Sequence, residues 1–204
     1  MKSESRIPKA IADRPALFGE VRQPTNRYLV IPTAFRPRGN YIPMAFFDPD
    51  VIVSAELFTI EGASNWHFGV LSSNMHMAWV RQVAERLKSD FRYSSKLVYN
   101  NYPWPDNPTE KGKAAVEAKA QAVLDARAAF PDSSLADLYD PLSMPVKLSK
   151  AHAELDRAVD ACYRDKPFHS DRERVEFLFE RYEMLTAPLT AGLDKKQKRK
   201  RKSE

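Results

Sequence analysis

Lys88 and Asp90 carry opposite charges and stand on either side of Ser89. In an extended segment, side chains two positions apart point the same way. An ammonium group can donate hydrogen bonds to guanine O6 and N7 in the major groove of DNA, and a carboxylate can accept one from cytosine N4. The pattern therefore suits the readout of both bases of one G·C pair, with Ser89 as a further contact to a base edge or a phosphate. The residues by themselves leave open a second interpretation, in which both charges are exposed and bind nothing.

Cations near this trio are candidates for contacts with a phosphate backbone. Arg92 and Lys96 follow it in the chain, and such contacts hold a protein in register on a duplex without reading its sequence. Arg81 and Arg86 fall on the polar side of the helix that we predict before the trio. The loop 33–40 contributes two more candidates, Arg36 and Arg38. For each of these cations, an ordinary solvated surface charge is the alternative.

The composition excludes several classes of function. The single Cys cannot form a disulfide framework within the chain or a zinc site with several thiolates. There is no glycine-rich phosphate-binding loop and no serine nucleophile elbow, and the four His lack metal-ligand spacing. We therefore expect no catalytic residue, cofactor site or metal site in the chain. No apolar run reaches the length of about 18 residues that a membrane span needs, and no signal core begins the chain, so we expect a cytoplasmic location.

The formal net charge of +5 is distributed unevenly. Residues 1–106 contain 13 Lys and Arg against 10 Asp and Glu, whereas residues 107–194 contain 12 against 16. The last ten residues contain seven cations and one acid. The second half is therefore acidic and would not attract a polyanion by itself. The tail would add nonspecific, salt-sensitive affinity for phosphates, or would be a solvated extension without function.

The elements that would position these residues divide at a proline cluster. Pro103, Pro105 and Pro108 lie within six residues and end any regular element, so we place the domain junction there. Apolar residues recur at helical spacing from Trp79 onward and predict a helix from Asn74 to about residue 88. Short β-branched and aromatic runs predict strands over 28–31, 41–47, 51–53, 57–60 and 67–71.

The second half has the composition of helices. An Ala-rich stretch predicts a long helix over 110–129, and Ser133 or Ser134 begins a short one. Two further apolar faces predict helices that begin near Pro145 and Ser170. The chain is therefore predicted to have an α+β fold. Its parts are a small, mostly antiparallel, β-rich domain with one or two helices at 1–106, a helical bundle at 107–190 and a disordered basic tail at 191–204.

Longer sequence strings add information that composition does not contain. They are LFGEVRQP at 17–24, YIPM at 41–44, FGVLSSNMH at 68–76, RLKSDFRYS at 86–94, VYNNYPWP at 98–105, ADLYDPL at 136–142 and HAELDRAVD at 152–160. In order and spacing they resemble the C-terminal third of the MmeI-type bifunctional restriction-modification enzymes. The resemblance covers residues 14–187.

The resemblance implies a definite assignment. In that family one polypeptide carries a nuclease, an adenine-N6 methyltransferase that uses S-adenosylmethionine, a target-recognition domain and a helical C-terminal domain. This chain resembles the latter part of the recognition domain and the helical domain. The Asn-Pro-Pro-aromatic catalytic motif has no counterpart, because Asn26 and Asn107 lack the residues that should follow. The family also varies its specificity at the two positions that flank Ser89, so Lys88 and Asp90 imply a G·C pair in a defined orientation.

We therefore interpret the chain as the part of an adenine-specific methyltransferase or restriction-modification enzyme that recognises double-stranded DNA. S-adenosylmethionine is expected only in the complete enzyme. The expected partners are DNA and a methyltransferase domain, with or without a nuclease, in the same or another polypeptide. The alternative is a non-catalytic module that docks on a methyltransferase or nuclease subunit and reads no bases. An independent enzyme is disfavoured because no residue cluster supplies a nucleophile, a metal or a cofactor.

Overall fold

The computed structural model describes residues 23–36 and 39–200, with side chains as far as residue 188. Arg38, most of the string at 17–24 and residues 201–204 lie outside the described residues. Among the described residues, two three-stranded antiparallel sheets and two α-helices precede the proline cluster, and further helices follow it. The predicted α+β class is confirmed. In the described part, no helix is both long enough and apolar enough to cross a bilayer.

The first sheet has the strand order β3-β1-β4. Its strands are β1 (Tyr28–Pro32), β3 (Ala45–Phe47) and β4 (Leu57–Glu61). β1 is central and buried, which its run of apolar and aromatic residues explains. The strand predicted at 51–53 is wrong, and the predicted strand 41–47 is reduced to its last three residues. The segment after β3 turns at Asp48 and is held by side-chain hydrogen bonds to its backbone carbonyls.

Two helices follow this sheet, α1 (Asn65–Leu71) and α2 (Asn74–Val83). The strand predicted at 67–71 is wrong, because this segment belongs to α1. A short apolar run has no periodicity that separates a buried strand from a buried helix, and the α1 residues from Phe68 to Leu71 are all buried. Ser73 caps α2 by accepting a hydrogen bond from the backbone N–H of His76.

The second sheet corrects the predicted extent of α2. It has the order β2-β6-β5, with β2 at Ala34–Phe35, β5 at Glu85–Leu87 and β6 at Asp90–Arg92. The helix that we predicted to continue to residue 88 ends at Val83, and Ala84 is already extended. Pairing of β5 with β6 overrides the local helical period, because buried Phe91 fixes β6 against β2. A π-helical turn, Ser95–Tyr99, follows.

The second half, as far as residue 200, contains four helices, as predicted. They are α3 (Glu110–Ala128), α4 (Leu135–Leu138), α5 (Val146–Tyr163) and α6 (Asp171–Lys200). The backbone of α6 continues to Lys200, into the segment for which composition predicted disorder. Lys, Arg and Gln have high intrinsic helix propensity, so this composition favours a helical backbone.

The hydrophobic core is continuous across the proline cluster. One cluster of buried side chains includes β1, α1 and α2 from the first half and α3, α5 and α6 from the second. Gly69 shows how closely the halves approach, because a Cβ there would lie 2.7 Å from Cγ1 of Val116 and 3.3 Å from Cδ1 of Leu155. The half before the proline cluster is therefore packed on the helical half over a shared core.

Candidate nucleic-acid interface

Lys88 and Ser89 form the turn of the β5–β6 hairpin. The strand register pairs Leu87 with Asp90, which leaves two residues in the turn. The favoured two-residue hairpin turns require a positive φ at their first position. Lys88 occupies that position with φ of 58°, although a residue with a Cβ pays about 1–2 kcal/mol for this conformation. The residue types at 88 and 89 do not indicate this strain, since turns of this kind are typically marked by Gly, Asn or Asp.

The hairpin has two different faces, as strand alternation requires. Phe91 is buried against Phe35, with ring centres 5.7 Å apart, and the guanidinium of Arg86 lies 3.8 Å from the centre of the Phe91 ring. Arg86 is therefore in a strand and stacks on an aromatic ring, whereas we had predicted it on a helix. The opposite face consists of two cross-strand pairs, Glu85 with Arg92 and Leu87 with Asp90.

Lys88 and Asp90, the two charged residues predicted to read bases, are both accessible. The alternation of side chains along a strand does not, however, determine how these two are oriented relative to each other. Lys88 and Ser89 are exposed, and Asp90 is half-buried in β6. Because Lys88 lies in the turn, the argument that residues two apart in a strand point the same way does not apply to this pair. No ion pair joins Lys88 to Asp90, both of which the structure describes. The tip of the hairpin therefore presents a free ammonium group close in the chain to a free carboxylate.

Arg92 and Lys96 lie along one cleft of about 850 Å³, beside the outer face of the hairpin. Arg92 is exposed and its guanidinium is 3.7 Å from a carboxylate oxygen of Glu85, a distance typical of a weak, solvated ion pair. Lys96 is exposed on the π-helical turn. Both side chains are in a position to reach a ligand that covers the hairpin.

The remaining predicted cations are in different surroundings. Arg81 is half-buried on α2, where Nη1 donates to Asp171 Oδ2 at 2.5 Å and Nη2 donates to Asn40 Oδ1 at 3.1 Å. It therefore connects α2 to the start of α6. Arg36 is exposed after β2 and lines a second cleft of about 590 Å³. Arg38 lies outside the described residues.

The hairpin rests on buried aromatic side chains. Tyr93 follows β6, and its hydroxyl lies 3.1 Å from Nε2 of the buried His76 on α2. The ring of His76 also meets the ring of Tyr102 edge-on, at 4.5 Å. Burial lowers the pKa of His76 to about 3, so the imidazole is neutral at physiological pH. These contacts give His76 a structural role in the core.

A polar network joins the two halves beside Tyr41. Its ring stacks on His152 with 3.9 Å between centres, and its hydroxyl donates to Asp156 Oδ2 at 2.8 Å. Asp156 also accepts from the backbone and side-chain N–H groups of Asn74, at 2.8 and 2.9 Å. Burial raises the pKa of Asp156 to about 6 and lowers that of His152 to about 3. This network fixes the helical half against the N-terminus of α2.

Arg127 and Tyr139 extend this network toward the first sheet. The Arg127 Nη1 group donates to the carbonyl of Met44 at 2.7 Å, and Nε donates to the hydroxyl of Tyr139 at 2.7 Å. The same hydroxyl lies 2.7 Å from His152 Nε2. The contacts explain why Arg127 is almost completely buried in an otherwise acidic half.

The chemistry available elsewhere in the described part is limited. Burial raises the pKa of the Cys162 thiol, which makes the thiolate scarce and the residue a poor nucleophile. No group of three or more His, Cys, Asp or Glu in this part is arranged to hold a metal ion. The arrangement most suited to ligand binding is therefore the hairpin with the adjacent cations, which matches binding rather than covalent chemistry.

Comparison with known proteins identifies relatives for both halves. The family model described as the MmeI target recognition domain matches residues 1–106, and the model of the MmeI C-terminal domain matches residues 108–190. DNA methyltransferase A of Bacillus subtilis (strain 168) is 38% identical over 185 residues, which are 91% of this chain and 21% of that protein.

A solved structure is similar as well. It is the type IIL restriction-modification enzyme MmeI in complex with DNA, which is 44% identical and superposes with a TM-score of 0.82. The match covers 88% of this chain and 24% of the solved one. The chain thus spans about a fifth to a quarter of the length of these relatives.

Proposed function

The chain belongs to the MmeI family, matching its target recognition domain and then its C-terminal domain, and on this basis we propose that it recognises a specific sequence in duplex DNA. The recognition serves a restriction-modification enzyme. The proposal is supported by the solved relative, which is in complex with DNA. It is also supported by the exposed turn of the β5–β6 hairpin, because the major groove of duplex DNA admits β-strands as well as helices.

The observation that carries the proposal is the placement of Lys88 and Asp90 at the tip of this hairpin. Lys88 is held at positive φ, and neither charge has a partner among the described residues that would neutralise it. In a major groove, Lys88 donates to guanine O6 and N7, and Asp90 accepts from cytosine N4 of the same pair. Ser89, beside them in the turn, contacts a base edge or a phosphate.

The cations around the hairpin are assigned to the DNA backbone. Arg92 and Lys96 border the cleft beside the hairpin and hold the duplex in register. Arg86, on the edge strand β5, and Arg36, just after the other edge strand β2, are exposed and are assigned the same role. Arg38, two positions after Arg36 in the sequence, is also assigned to the DNA backbone. Arg81 contributes less to DNA binding than the others, because Asp171 already neutralises its charge.

Catalysis is assigned to a methyltransferase domain outside this sequence, in the same or a separate polypeptide, with or without a nuclease. That domain holds S-adenosylmethionine and methylates adenine N6 after the adenine has been flipped out of the duplex. This assignment rests on the relative named DNA methyltransferase A and on the resemblance of the sequence strings. We assign no catalytic or cofactor-binding role to any residue of the chain.

A selection from random duplex DNA tests base recognition. The 204-residue chain is mixed with a library of random duplexes, and the bound fraction is sequenced. The wild-type chain should enrich one motif that contains a G·C pair. The exchange of Lys88→Asp together with Asp90→Lys should reverse the preference at that one pair and leave the others unchanged. The exchange is mild for the fold, because Asp tolerates positive φ better than most residues.

A change at a phosphate contact provides the matched control. Lys96→Ala should weaken binding to all sequences alike and leave the motif unchanged. An enriched motif that is identical in the wild type and the exchange variant would refute the assignment of Lys88 and Asp90. Absence of any enrichment, combined with a stable complex between the chain and a methyltransferase subunit, would instead favour the docking module.

A further inference from the structure

We infer that Leu87 makes a hydrophobic contact with the C5 edge of a pyrimidine, so that the chain senses a C5-methyl group next to the base pair read by Asp90. The inference rests on the proposed recognition of duplex DNA and adds a residue to it. The sequence predicts a helix over this segment, and only the place of Leu87 in the hairpin suggests a role in binding.

The register of the hairpin puts Leu87 beside Asp90. The two residues face each other directly across β5 and β6, and side chains of such a pair lie on the same face with Cβ atoms about 5 Å apart. Leu87 remains 53% exposed, whereas Phe91, the apolar residue on the other face, is buried. The fold therefore uses Phe91 for packing and leaves the leucine at the accessible face beside a carboxylate.

The edge of a pyrimidine has the same arrangement of groups. Cytosine presents its N4 donor in the major groove, and the adjacent C5 position is apolar; thymine carries a methyl group at this position. A carboxylate that accepts from cytosine N4 places a neighbouring leucine over the C5 of that base or of the next base in the stack. In both cases, the leucine contacts the C5 position of a pyrimidine on the strand that Asp90 contacts, and this position carries either a hydrogen or a methyl group.

The other side chains on this face do not compete for that contact. Glu85 and Arg92 form the second cross-strand pair, one step farther from the turn, and they are within 3.7 Å of each other. Lys88 and Ser89 are polar and lie in the turn. Leu87 is thus the apolar member of the outer face at the tip, where the hairpin would enter a groove most deeply.

The test compares duplexes that differ by single methyl groups. The selected motif is synthesised as pairs of duplexes that differ by one C5-methyl group. The methyl group is varied at the pyrimidine that Asp90 contacts and, where they are pyrimidines, at its two neighbours on the same strand. The pairs are thymine against uracil and 5-methylcytosine against cytosine. Binding of the 204-residue chain is measured by fluorescence anisotropy. At one of these positions, the methyl group should tighten binding about fourfold, the value expected for one buried CH₂-sized group.

Two variants separate Leu87 from indirect effects on DNA shape. Leu87→Ala should remove the methyl dependence and keep the motif. Leu142→Ala, which changes a 98% exposed leucine in the helical half, should keep both. Both positions are exposed enough that neither change should unfold the chain. The position at which the methyl group changes the affinity shows whether Leu87 contacts the cytosine itself or one of the neighbouring bases.

The outcomes also separate this inference from the function on which it rests. A motif without methyl dependence in the wild type, or with equal dependence in Leu87→Ala, would overturn the role of Leu87 and leave DNA recognition standing. A chain that selects no duplex motif at all would overturn the proposed recognition and the role of Leu87 together.

Discussion

The ring of Tyr41 stacks on His152 with 3.9 Å between ring centres, while the Tyr41 hydroxyl donates to Asp156. Tyr41 belongs to the recognition half, and His152 and Asp156 belong to α5 in the helical half. One side chain thus makes an aromatic and a polar contact across the proline cluster. The two halves are therefore held together by polar and aromatic contacts as well as by the shared hydrophobic core.

Tyr41→Phe should separate the two contributions of this residue. The change keeps the stacked ring and removes the hydrogen bond to the carboxylate, and hydrogen bonds to charged groups contribute about 1.5–3 kcal/mol. The free energy of unfolding should fall by about that amount in urea titrations. Tyr182→Phe, at a partly buried ring beside Trp79, is the control and should have a smaller effect. Equal losses in both variants would contradict the importance of the bond to Asp156.

Gly69→Ala should destabilise the chain, because the new Cβ would lie 2.7 Å from Val116 Cγ1. Overpacking of this kind costs about 1–3 kcal/mol, from which the better helix propensity of Ala subtracts part. Val116→Ala removes the clashing methyl group, so the double variant should be more stable than the two separate losses predict. Strict additivity of the two unfolding free energies would show that the close approach of α1 and α3 is not the cause.

Stability should fall as the pH drops below about 6.5, because two buried imidazoles must gain a proton on unfolding. Burial lowers the pKa values of His76 and His152 to about 3. Between about pH 3 and pH 6.5, the unfolded chain therefore binds more protons at these two residues than the folded chain does. Asp156, with a pKa raised to about 6, opposes them over the upper part of this range, since its folded form binds the proton more tightly. Burial raises the pKa of Asp160 as well, so this carboxylate opposes the histidines in the same way. The two imidazoles have the larger effect, because both of their pKa values fall from 6.5 to about 3.

His152→Phe tests this sign directly. It should reduce the slope of unfolding free energy against pH by about 1.4 kcal/mol per pH unit between pH 6 and 4. The variant also loses the hydrogen bond between His152 and Tyr139, which lowers its free energy of unfolding at every pH. This constant loss does not affect the comparison, because only the slopes against pH are compared. A slope equal to that of the wild type would mean that this imidazole is protonated in the folded chain.

Lys88→Gly should leave the fold intact or slightly more stable while it removes base preference. Glycine adopts the φ of 58° without the steric cost that lysine pays. Thermal unfolding and the duplex selection are the two measurements. A loss of stability in this variant would show that the Lys88 side chain supports the hairpin, and would weaken its assignment to DNA.

Lys96→Ala should lower the slope of log Kd against log salt concentration by about 0.9, the value for one phosphate contact on duplex DNA. Its melting temperature should stay unchanged, because the side chain is exposed. Arg81→Ala should show the reverse pattern, with a lower melting temperature through the lost contact to Asp171 and a smaller change of slope. Identical behaviour of the two variants would contradict this division of roles.

Several features of the protein followed from the sequence by itself. The strands around Tyr28 and Phe58 and the long helices of the second half depend on local composition, periodicity and capping, which are written in consecutive residues. The proximity of Lys88, Ser89 and Asp90 is a property of the chain, and so is the division of charge between its halves.

Only the tertiary structure decided the rest, since those features depend on partners distant in sequence. Glu85–Leu87 is a strand because β6 pairs with it, and β6 is fixed by Phe91 packing on Phe35. The same pairing puts Lys88 in a strained turn and Leu87 opposite Asp90. The ion pair of Arg81 with Asp171 spans 90 positions. Local propensity contains no information about such partners, so burial and pairing across the chain decided both the conformation and the accessibility of these residues.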